Sequence, residues 1–283
     1  MKRQTFIICE IGINHLGQLD IAKKLIKIAK EAGANAVKFQ KRNIYRVYSK
    51  EYLKQPRNDD NPFGWKTQEE QKLGLEFEEK EYDEIVNYCK EKNIDFMASA
   101  WDLDSVEFLK KYNLKYNKIA SAMLTHTSLL EAVAKQRKYT FISTGMSTLE
   151  EIEKAVDIFK KHNCPYQLMH CNSSYPCPTE DLNLLCIDTL KRKFDCPIGY
   201  SGHSSGIMDA VIAVALGANA VEKHITLDRT LYGTDQSSSL EPQGLRKMIE
   251  YIEYTEEALG TGEKIVTDRE KKIMAKLRRS FDY

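Results

Sequence analysis

Two histidines in the second half of the sequence have the type and spacing to hold a metal ion. His203 and His224 each stand at the end of a short apolar run that predicts a β-strand, and Glu10 ends the first such run of the chain. Two imidazoles with oxygen ligands suit Mn²⁺, Fe²⁺ or Co²⁺, and Zn²⁺ is also compatible. A lone histidine is more often a hydrogen-bonded core or rim residue, so the metal hypothesis depends on strands that bring the pair together. Weaker candidates, which could instead orient loops, are Asn14, His15 and His170.

A second set of side chains has the chemistry of an anion site. Lys38 and Lys118 would supply positive charge, and serine hydroxyls would supply donors that rotate toward an oxyanion. Taken one at a time, an inward-pointing lysine could extend its ammonium group to solvent, and a serine could fill a small space at the barrel rim. Together they favour a site for a phosphate, or for a phosphate with a carboxylate. The hydroxyls belong to Ser99, Ser121, Ser143 and Ser201.

The elements that would position these groups form a regular series. Short β-branched runs alternate with amphipathic stretches, and eight such repeats predict a single-domain α/β fold, the (β/α)₈ TIM barrel, with its active site at the carboxyl ends of the strands. A doubly wound sheet is less favoured because the turn from Gly12 to Gly17 lacks the Gly-x-Gly-x-x-Gly pattern. In a closed barrel strand 8 also neighbours strand 1, so Glu10 would lie beside both histidines. The predicted strands are residues 6–10, 36–40, 95–99, 118–121, 140–143, 167–170, 198–201 and 220–224, and the predicted helices are residues 21–29, 78–91, 104–111, 127–135, 148–161, 181–191, 206–216 and 242–259.

The composition excludes several classes of protein. The 283 residues include 42 Lys+Arg and 41 Asp+Glu, a net charge of +1. This charge balance provides no electrostatic attraction to nucleic acid or to an acidic membrane surface. The first apolar run meets Glu10 too early for a signal peptide, and no apolar run approaches a membrane span. We therefore expect a cytoplasmic protein. Seven irregularly spaced cysteines in a chain with an ample core indicate reduced thiols.

Two segments exceed the minimal repeat. Residues 41–77 form a long polar excursion after strand 2, and loops of this length are typical of lids or binding loops. Phe63 and Trp65 within it could cover a site or could pack the excursion onto the barrel. Residues 226–241, after strand 8, are rich in Asp, Gly, Thr and Ser.

Five motifs in a fixed order resemble the N-acetylneuraminate (sialic acid) synthase family. The resemblance covers about residues 5 to 260. It implies that the chain condenses phosphoenolpyruvate with an open-chain aldose, N-acetylmannosamine-like or a related hexose, to give a nonulosonic or related 3-deoxy-2-keto sugar acid and phosphate. The motifs are Cys9-Glu10-Ile11-Gly12-Ile13-Asn14-His15, Val37-Lys38-Phe39-Gln40, Ser143-Thr144-Gly145-Met146, His170-Cys171 with Tyr175-Pro176, and Ser201-Gly202-His203.

The resemblance also implies roles for individual residues. A divalent metal ion, Mn²⁺ first with Mg²⁺ or Co²⁺ as alternatives, would bind His203 and His224 and polarise the aldehyde oxygen. Carbon 3 of phosphoenolpyruvate would attack the aldehyde carbon, water would add at carbon 2, and phosphate would leave by C–O cleavage. Glu10 is the expected acid/base group on its position near the metal. Phosphoenolpyruvate would be held by Lys38, Ser99, Lys118, Ser121, Ser143, Ser173 and Ser201, and the sugar by Glu10, Gln40, Tyr175 and Asp235.

The sequence departs from the family pattern at three points. Ala122-Met123 follow Ser121 where members commonly have an acidic residue, and Gly202 stands where many have Asp. The C-terminal antifreeze-like domain, which reaches the partner's sugar site in a swapped dimer, would begin about where this sequence stops. We therefore expect a barrel-only member, with residues 1–265 as the synthase domain and 266–283 as an extension at the start of the linker. Any homodimer would then use barrel helices.

Two alternatives keep the barrel. An enzyme like the 3-deoxy-octulosonate-8-phosphate synthases would take a phosphorylated aldose, and Arg42, Arg46 and Arg57 on the excursion could bind its second phosphate, although a solvated loop face is the commoner role of such arginines. A barrel that binds a sugar acid without turnover is the other, with Met123 and Gly202 as signs of lost catalysis. The presence of both histidines, both lysines and Glu10 favours the enzyme.

Overall fold

Eight parallel strands hydrogen-bond in sequence order and close into a barrel, because β8 pairs with β1 as well as with β7. The structure is a computed structural model that describes residues 5–279. It confirms the single-domain (β/α)₈ barrel predicted from the sequence. The strands are β1 (Phe6–Gly12), β2 (Ala36–Lys41), β3 (Asp95–Ala100), β4 (Tyr116–Ile119), β5 (Tyr139–Ser143), β6 (Tyr166–Cys171), β7 (Ile198–Gly202) and β8 (Ala220–His224).

The helices that follow the strands cover the outside of the barrel with their apolar faces, whereas the final helix, Asp268–Leu277, has no buried residue. In the first helix the buried residues Ala22, Leu25, Ile26 and Ala29 recur at helical spacing, which places one stripe against the strands. A capping box between Thr148 and Glu151, visible in the sequence, begins the helix after β5. The helices are α1 (Leu19–Ala32), α2 (Ile44–Val47), α3 (Lys50–Leu53), α4 (Gln68–Leu75), α5 (Glu79–Lys92), α6 (Leu103–Lys110), α7 (Thr127–Ala134), α8 (Leu149–Lys161), α9 (Cys186–Lys193), α10 (Met208–Ala215), α11 (Pro242–Leu259) and α12 (Asp268–Leu277).

Most predicted boundaries lie within three residues of the observed ones, and at two places the difference puts predicted residues into 3₁₀ turns. β4 ends at Ile119, and Ser121 instead opens a 3₁₀ turn, Ser121–Met123. The helix predicted from residue 181 begins only at Cys186, because residues 179–181 form a separate 3₁₀ turn and Asn183 has a positive φ of 41°. A left-handed residue cannot continue a right-handed helix.

The excursion after β2 is a folded segment that contains α2, α3 and α4. Phe63 and Trp65 stack with ring centroids 4.4 Å apart, and both rings contact Tyr232 in the segment after β8. Of the two roles considered for this pair, covering a site or packing the excursion onto the barrel, the contact is nearer the second, but its partner is the loop after β8. The excursion also meets the β1–α1 turn, where a Cβ on Gly17 would lie 1.9 Å from the carbonyl oxygen of Gly74.

The barrel interior is closed at the amino-terminal ends of the strands. Its lowest layer is apolar, and the aromatic rings of Phe6, Tyr116 and Tyr139 pack beneath it. This plug leaves the carboxyl ends as the place where the interior can receive a ligand. The layer consists of Ile8, Ala36, Met97, Phe141, Met169 and Ala220.

Three further features concern the cysteines, the lengths of the helices and the C-terminal extension. All seven cysteines lie within the described residues and are free thiols. No helix between residues 5 and 279 is long and apolar enough to cross a membrane. The predicted extension, residues 266–283, contains α12, and its last four residues lie outside the described part of the chain.

Candidate active site

Strand periodicity explains why polar side chains collect at one end of the barrel. Side chains two residues apart on a strand point to the same face, so each apolar residue of the lowest layer is followed inside the barrel by the residue two positions later. Ile8 is followed by Glu10, Ala36 by Lys38 and then Gln40. The same step gives Ser99 after Met97, Ser143 after Phe141, Cys171 after Met169, and Glu222 and then His224 after Ala220.

Apart from Cys171, these side chains line one cavity of about 170 Å³ at the carboxyl ends of the strands. The structure brings together all but one of the residues that the sequence analysis selected. Asp235 is the exception, since it does not line the cavity, but its Oδ2 lies 3.7 Å from Nδ1 of His224. The selected residues around the cavity are Glu10, Lys38, Gln40, Ser99, Lys118, Ser121, Ser143, Ser173, Tyr175, Ser201, His203 and His224, and Trp101, Ala120, Ala122, Met146 and Glu222 complete the lining.

Two lysines and two glutamates form a buried charge cluster at the bottom of the cavity. Nζ of Lys38 lies 2.8 Å from Glu10 Oε2 and 3.7 Å from Glu222 Oε1. Nζ of Lys118 lies 3.5 Å from the same Glu222 oxygen and donates a hydrogen bond of 2.6 Å to Ser143 Oγ. All four charged side chains are at most 5% exposed. Because opposite charges balance within the cluster, the lysines can remain buried without a ligand.

Burial and mutual charge set the protonation of this cluster. Burial raises the pKa of Glu10, and the neighbouring Glu222 adds to the shift while Lys38 opposes it. For Glu222 the burial effect is outweighed by Lys118 and Lys38, so its pKa is lowered. Burial and the nearby Lys38 lower the pKa of Lys118, against the attraction of Glu222. The cluster therefore contains one carboxyl group that can hold a proton more readily than usual and one that stays ionised.

A second group of small polar side chains lines the cavity beside Gly145. Ser121 Oγ accepts a hydrogen bond of 3.0 Å from the backbone N–H of Gly145. A Cβ at Gly145 would lie only 2.3 Å from Ser173 Oγ, 2.9 Å from Ser121 Oγ and 3.2 Å from Cys171 Sγ. The glycine thus allows two hydroxyls and a backbone N–H to converge, an arrangement suited to an oxyanion.

The two histidines face each other across the upper part of the cavity, with ring centroids 5.4 Å apart. Nδ1 of His203 lies 2.6 Å from the carbonyl oxygen of Asn172, which makes Nδ1 the protonated nitrogen, and Nε2 accepts a hydrogen bond of 2.7 Å from the Tyr175 hydroxyl. Burial lowers the pKa of His224 to about 3, so this imidazole is neutral at pH 7. Its Nδ1 is buried and has no hydrogen-bond partner.

These histidines fit a divalent metal in their donor atoms. A neutral imidazole with an unused nitrogen and a second imidazole fixed in one tautomer are the state in which histidine binds metals. Within residues 5–279 no group of three or more His, Cys, Asp or Glu side chains has metal-site geometry. A metal held here would therefore need oxygen ligands from water or substrate in addition to the two imidazoles.

The residues assigned to the sugar lie on the histidine side of the cavity. Gln40 Nε2 donates a hydrogen bond of 2.7 Å to Glu10 Oε1. Tyr175, whose hydroxyl contacts His203, is half-exposed at the opening. The aldehyde end of an acceptor placed between Gln40 and Tyr175 would lie beside Glu10 and both histidines.

Other polar residues named from the sequence have structural partners outside the cavity. Asn14 Nδ2 donates to Ile225 O and Ser239 Oγ, at 2.9 and 2.8 Å. His15 stacks on Phe77 at 4.1 Å, and His170 Nε2 lies 2.9 Å from Leu182 O. These three side chains orient loops, as the alternative interpretation proposed.

The three arginines considered for a second phosphate each have an acidic partner. Arg42 pairs with Glu76 at 3.0 Å, Arg46 with Asp104 at 3.1 Å, and Arg57 with Asp59 at 2.5 Å. Arg42 also donates to Gln40 Oε1, and its guanidinium lies 4.5 Å from the ring centroid of Trp101. The excursion therefore does not present a cluster of unpaired arginines to the cavity.

Sequence reasoning assigned no role to Glu222 and did not select Trp101. Glu222 precedes His224 by two residues, so strand alternation puts both side chains inside the barrel. No comparable signal marked Trp101, which follows β3 and enters the cavity by loop geometry. Of the two residues that follow Ser121, Ala122 lines the cavity, whereas Met123 packs against the core.

The fold and the site together define a (β/α)₈-barrel enzyme that binds a small anionic substrate at the strand ends. The sequence profile of the NeuB family matches residues 25–264. Human N-acetylneuraminate-9-phosphate synthase is 40% identical over 280 residues, which are 99% of this chain and 78% of the human one. N,N'-diacetyllegionaminic acid synthase of Campylobacter jejuni is 38% identical over 282 residues, 99% of this chain and 84% of that protein.

A solved structure gives the same result. The N-acetylneuraminic acid synthetase of Leptospira borgpetersenii, in complex with citrate, superposes with a TM-score of 0.85 at 38% identity, covering 98% of this chain and 94% of that one. The chain belongs to the NeuB family. It is accordingly an enzyme of carbohydrate biosynthesis that condenses phosphoenolpyruvate with a sugar to give a nonulosonic acid.

Proposed function

We propose that the acceptor is an open-chain, unphosphorylated aldose of the N-acetylmannosamine type, and that a divalent metal ion, Mn²⁺ first, acts at His203 and His224. The observation that carries the proposal is the set of groups around one cavity: an anion site at the bottom and two imidazoles with a carboxyl group above it. This order suits a phosphoenolpyruvate lying deep and an aldehyde lying above it.

Lys38 and Lys118 would bind the phosphate and carboxylate groups of phosphoenolpyruvate. Glu222 holds both ammonium groups in place before the substrate enters, at 3.7 and 3.5 Å. Ser121, Ser173 and the Gly145 N–H then offer donors to the oxygens of the same anion. Since charge-assisted hydrogen bonds are roughly twice as strong as neutral ones, this half of the cavity favours an anion.

The metal would be held by the imidazole nitrogens that the protein leaves available. In the neutral His203 ring Nε2 carries the lone pair, because Asn172 O accepts from Nδ1–H, and His224 is neutral with Nδ1 unpartnered. A bound divalent cation supplies Lewis acidity toward the sugar's aldehyde oxygen. The Tyr175 hydroxyl, 2.7 Å from Nε2 of His203, is placed to exchange that contact for one to the sugar.

Glu10 is the acid/base group in this proposal. Its Oε1 is fixed by the amide of Gln40 and its Oε2 by Lys38, so the carboxyl group has one orientation. Burial raises its pKa, which suits a group that must take up and return a proton near neutral pH. It can therefore move a proton to or from the aldehyde oxygen, or the water that adds at carbon 2.

An unphosphorylated acceptor is supported by the pairing of Arg42, Arg46 and Arg57 with carboxylates. Gln40, Tyr175 and Asp235 are hydrogen-bonding groups for hydroxyl and acetamido substituents. The proposal includes a cytoplasmic location, where phosphoenolpyruvate is made, and a homodimer, if one forms, through the barrel helices.

The test compares phosphate release from phosphoenolpyruvate with N-acetylmannosamine, a diacetamido-trideoxyhexose, N-acetylmannosamine 6-phosphate and arabinose 5-phosphate. The protein is first treated with a chelator and then assayed with and without added Mn²⁺. We expect release with an unphosphorylated acetamido sugar and only after Mn²⁺ is restored. Preference for either phosphorylated sugar would overturn the acceptor assignment, and full activity of the chelated protein would overturn the metal assignment.

A further inference from the structure

A second buried polar cluster lies on the outer face of the barrel, between β7, β8 and α10. Lys223 Nζ donates hydrogen bonds to Ser204 O at 2.8 Å and to Ser204 Oγ at 3.1 Å, and pairs with Asp209 Oδ2 at 3.0 Å. The Tyr200 hydroxyl donates to the same Asp209 oxygen at 2.6 Å. The side chains of Lys223 and Asp209 are at most 2% exposed, and none of these residues lines the cavity.

The position of this cluster along the chain relates it to the active site. Lys223 lies between Glu222 and His224 on β8, and strand alternation points its side chain away from the cavity that both neighbours line. Its ammonium group reaches across to the backbone of Ser204, the residue after His203. One lysine therefore ties the strand that carries His224 to the segment that carries His203.

We propose that Lys223, with Asp209 and Tyr200, is a positioning residue that fixes the separation and orientation of His203 and His224. The inference rests on the proposed metal role of these histidines and adds the residues that hold them. The contacts of the His203 imidazole do not fix the backbone of His203. The backbone is held by Cys177 N–H, which donates to His203 O at 3.1 Å, and by the Lys223 contact one residue further on.

Energetics favour this role over a contribution to stability. A buried ion pair is often no more stable than apolar side chains of similar volume, because desolvation offsets the attraction. Asp209 also leaves its second carboxylate oxygen buried without a hydrogen bond. A cluster with that cost is better explained by the geometry it imposes than by the stability it gives.

Gly202 fits the same explanation. A Cβ at position 202 would lie 2.5 Å from Cε1 of Tyr200 and 2.8 Å from Asp209 Oδ2. Any other residue would displace the Tyr200–Asp209 contact directly before His203. The glycine that departs from the family pattern is therefore required by this cluster, and is no sign of lost catalysis.

The experiment uses the full chain and the variants Lys223→Met and the triple Lys223→Met, Asp209→Leu, Tyr200→Phe. The triple variant replaces the cluster by apolar side chains, so it keeps the fold even if the single variant is unstable. Lys191→Met is the matched control, because it also removes a lysine-to-carbonyl hydrogen bond, 2.7 Å to Leu216 O, at the far end of α10. Two readouts are taken: Mn²⁺ affinity of metal-free protein by electron paramagnetic resonance, and the imidazole NMR signals of His203 and His224 without metal.

We expect Mn²⁺ affinity to fall by roughly tenfold or more in both cluster variants, similar to the loss of a residue that orients a metal-binding histidine. The His203 imidazole signal should shift or broaden, and the control should match wild type. Wild-type affinity in the triple variant would overturn the proposal, since the cluster would then be structural only. If the wild-type protein binds no Mn²⁺, the metal assignment is wrong. The His203 signal of the cluster variants then decides the positioning role: an unchanged signal would overturn it, and a changed signal would support it.

Discussion

Replacement of Gly145 by alanine tests the anion half of the cavity most sharply. The new methyl group would lie 2.3 Å from Ser173 Oγ and 2.9 Å from Ser121 Oγ, well inside contact distance, so both hydroxyls must move. A hydrogen bond to a charged group contributes about 1.5–3 kcal/mol. Loss of two at the lower value is about 3 kcal/mol, or roughly a 100-fold fall in kcat/KM for phosphoenolpyruvate.

The assay measures initial rates of phosphate release while each substrate is varied in turn. Gly206→Ala is the matched control, because a Cβ there meets nothing within 4 Å. We expect Gly145→Ala to raise KM for phosphoenolpyruvate with a smaller effect on KM for the sugar, and Gly206→Ala to behave as wild type. Overpacking adds a stability cost of about 1–3 kcal/mol, which thermal unfolding will report separately. Wild-type kinetics in a folded Gly145→Ala protein would refute the assignment of this side of the cavity.

Three further predictions concern charge and pH. Glu222→Gln removes the carboxylate that pairs with the two cavity lysines. Phosphoenolpyruvate should therefore bind more tightly in a fluorescence or calorimetric titration, while the melting temperature falls. Weaker binding would contradict the pairing of Glu222 with these lysines in the free enzyme. Burial lowers the pKa of His15 to about 3, so its contribution to stability is complete above about pH 6.5 and is lost as the pH falls toward 3, with a slope of up to about 1.4 kcal/mol per pH unit. His15→Asn keeps an acceptor for the Gly17 N–H, and urea unfolding should show its deficit shrinking with acid; a deficit independent of pH would exclude the linkage. Asp235→Asn, 3.7 Å from His224, should raise KM for the sugar severalfold and leave KM for phosphoenolpyruvate unchanged, and the opposite split would reject the sugar contact.

The fold and most of the cavity could be predicted because strand alternation is a local property. Once eight strand–helix repeats are counted, every second residue near the end of a strand must point inward. Glu10, Lys38 and Ser99 follow from that rule. Glu222 follows from it too, although the residue type alone assigned it no role beside the neighbouring His224.

The remaining features depend on contacts between distant segments. The acidic partners of Arg42 and Arg46 lie 34 and 58 residues further along the chain, and nothing local identifies them. Phe63 and Trp65 meet Tyr232 only because two loops fold toward each other above the barrel. Likewise, the reason for Gly202 appears only when Asp209 of α10 is placed beside it. Sequence patterns predict which face a residue is on, whereas pairing and close approach require the folded chain.

The central claim is that this cavity joins phosphoenolpyruvate to an acetamido aldose and releases phosphate by cleaving the C–O bond. The most direct measurement uses phosphoenolpyruvate labelled with heavy oxygen at the bridging position, incubated with Mn²⁺ and N-acetylmannosamine or a diacetamido-trideoxyhexose, with mass analysis of both products. We predict one labelled phosphate for each sugar acid that is heavier than the acceptor by the pyruvate unit. Unlabelled phosphate, or phosphate released without a condensed product, would contradict the account.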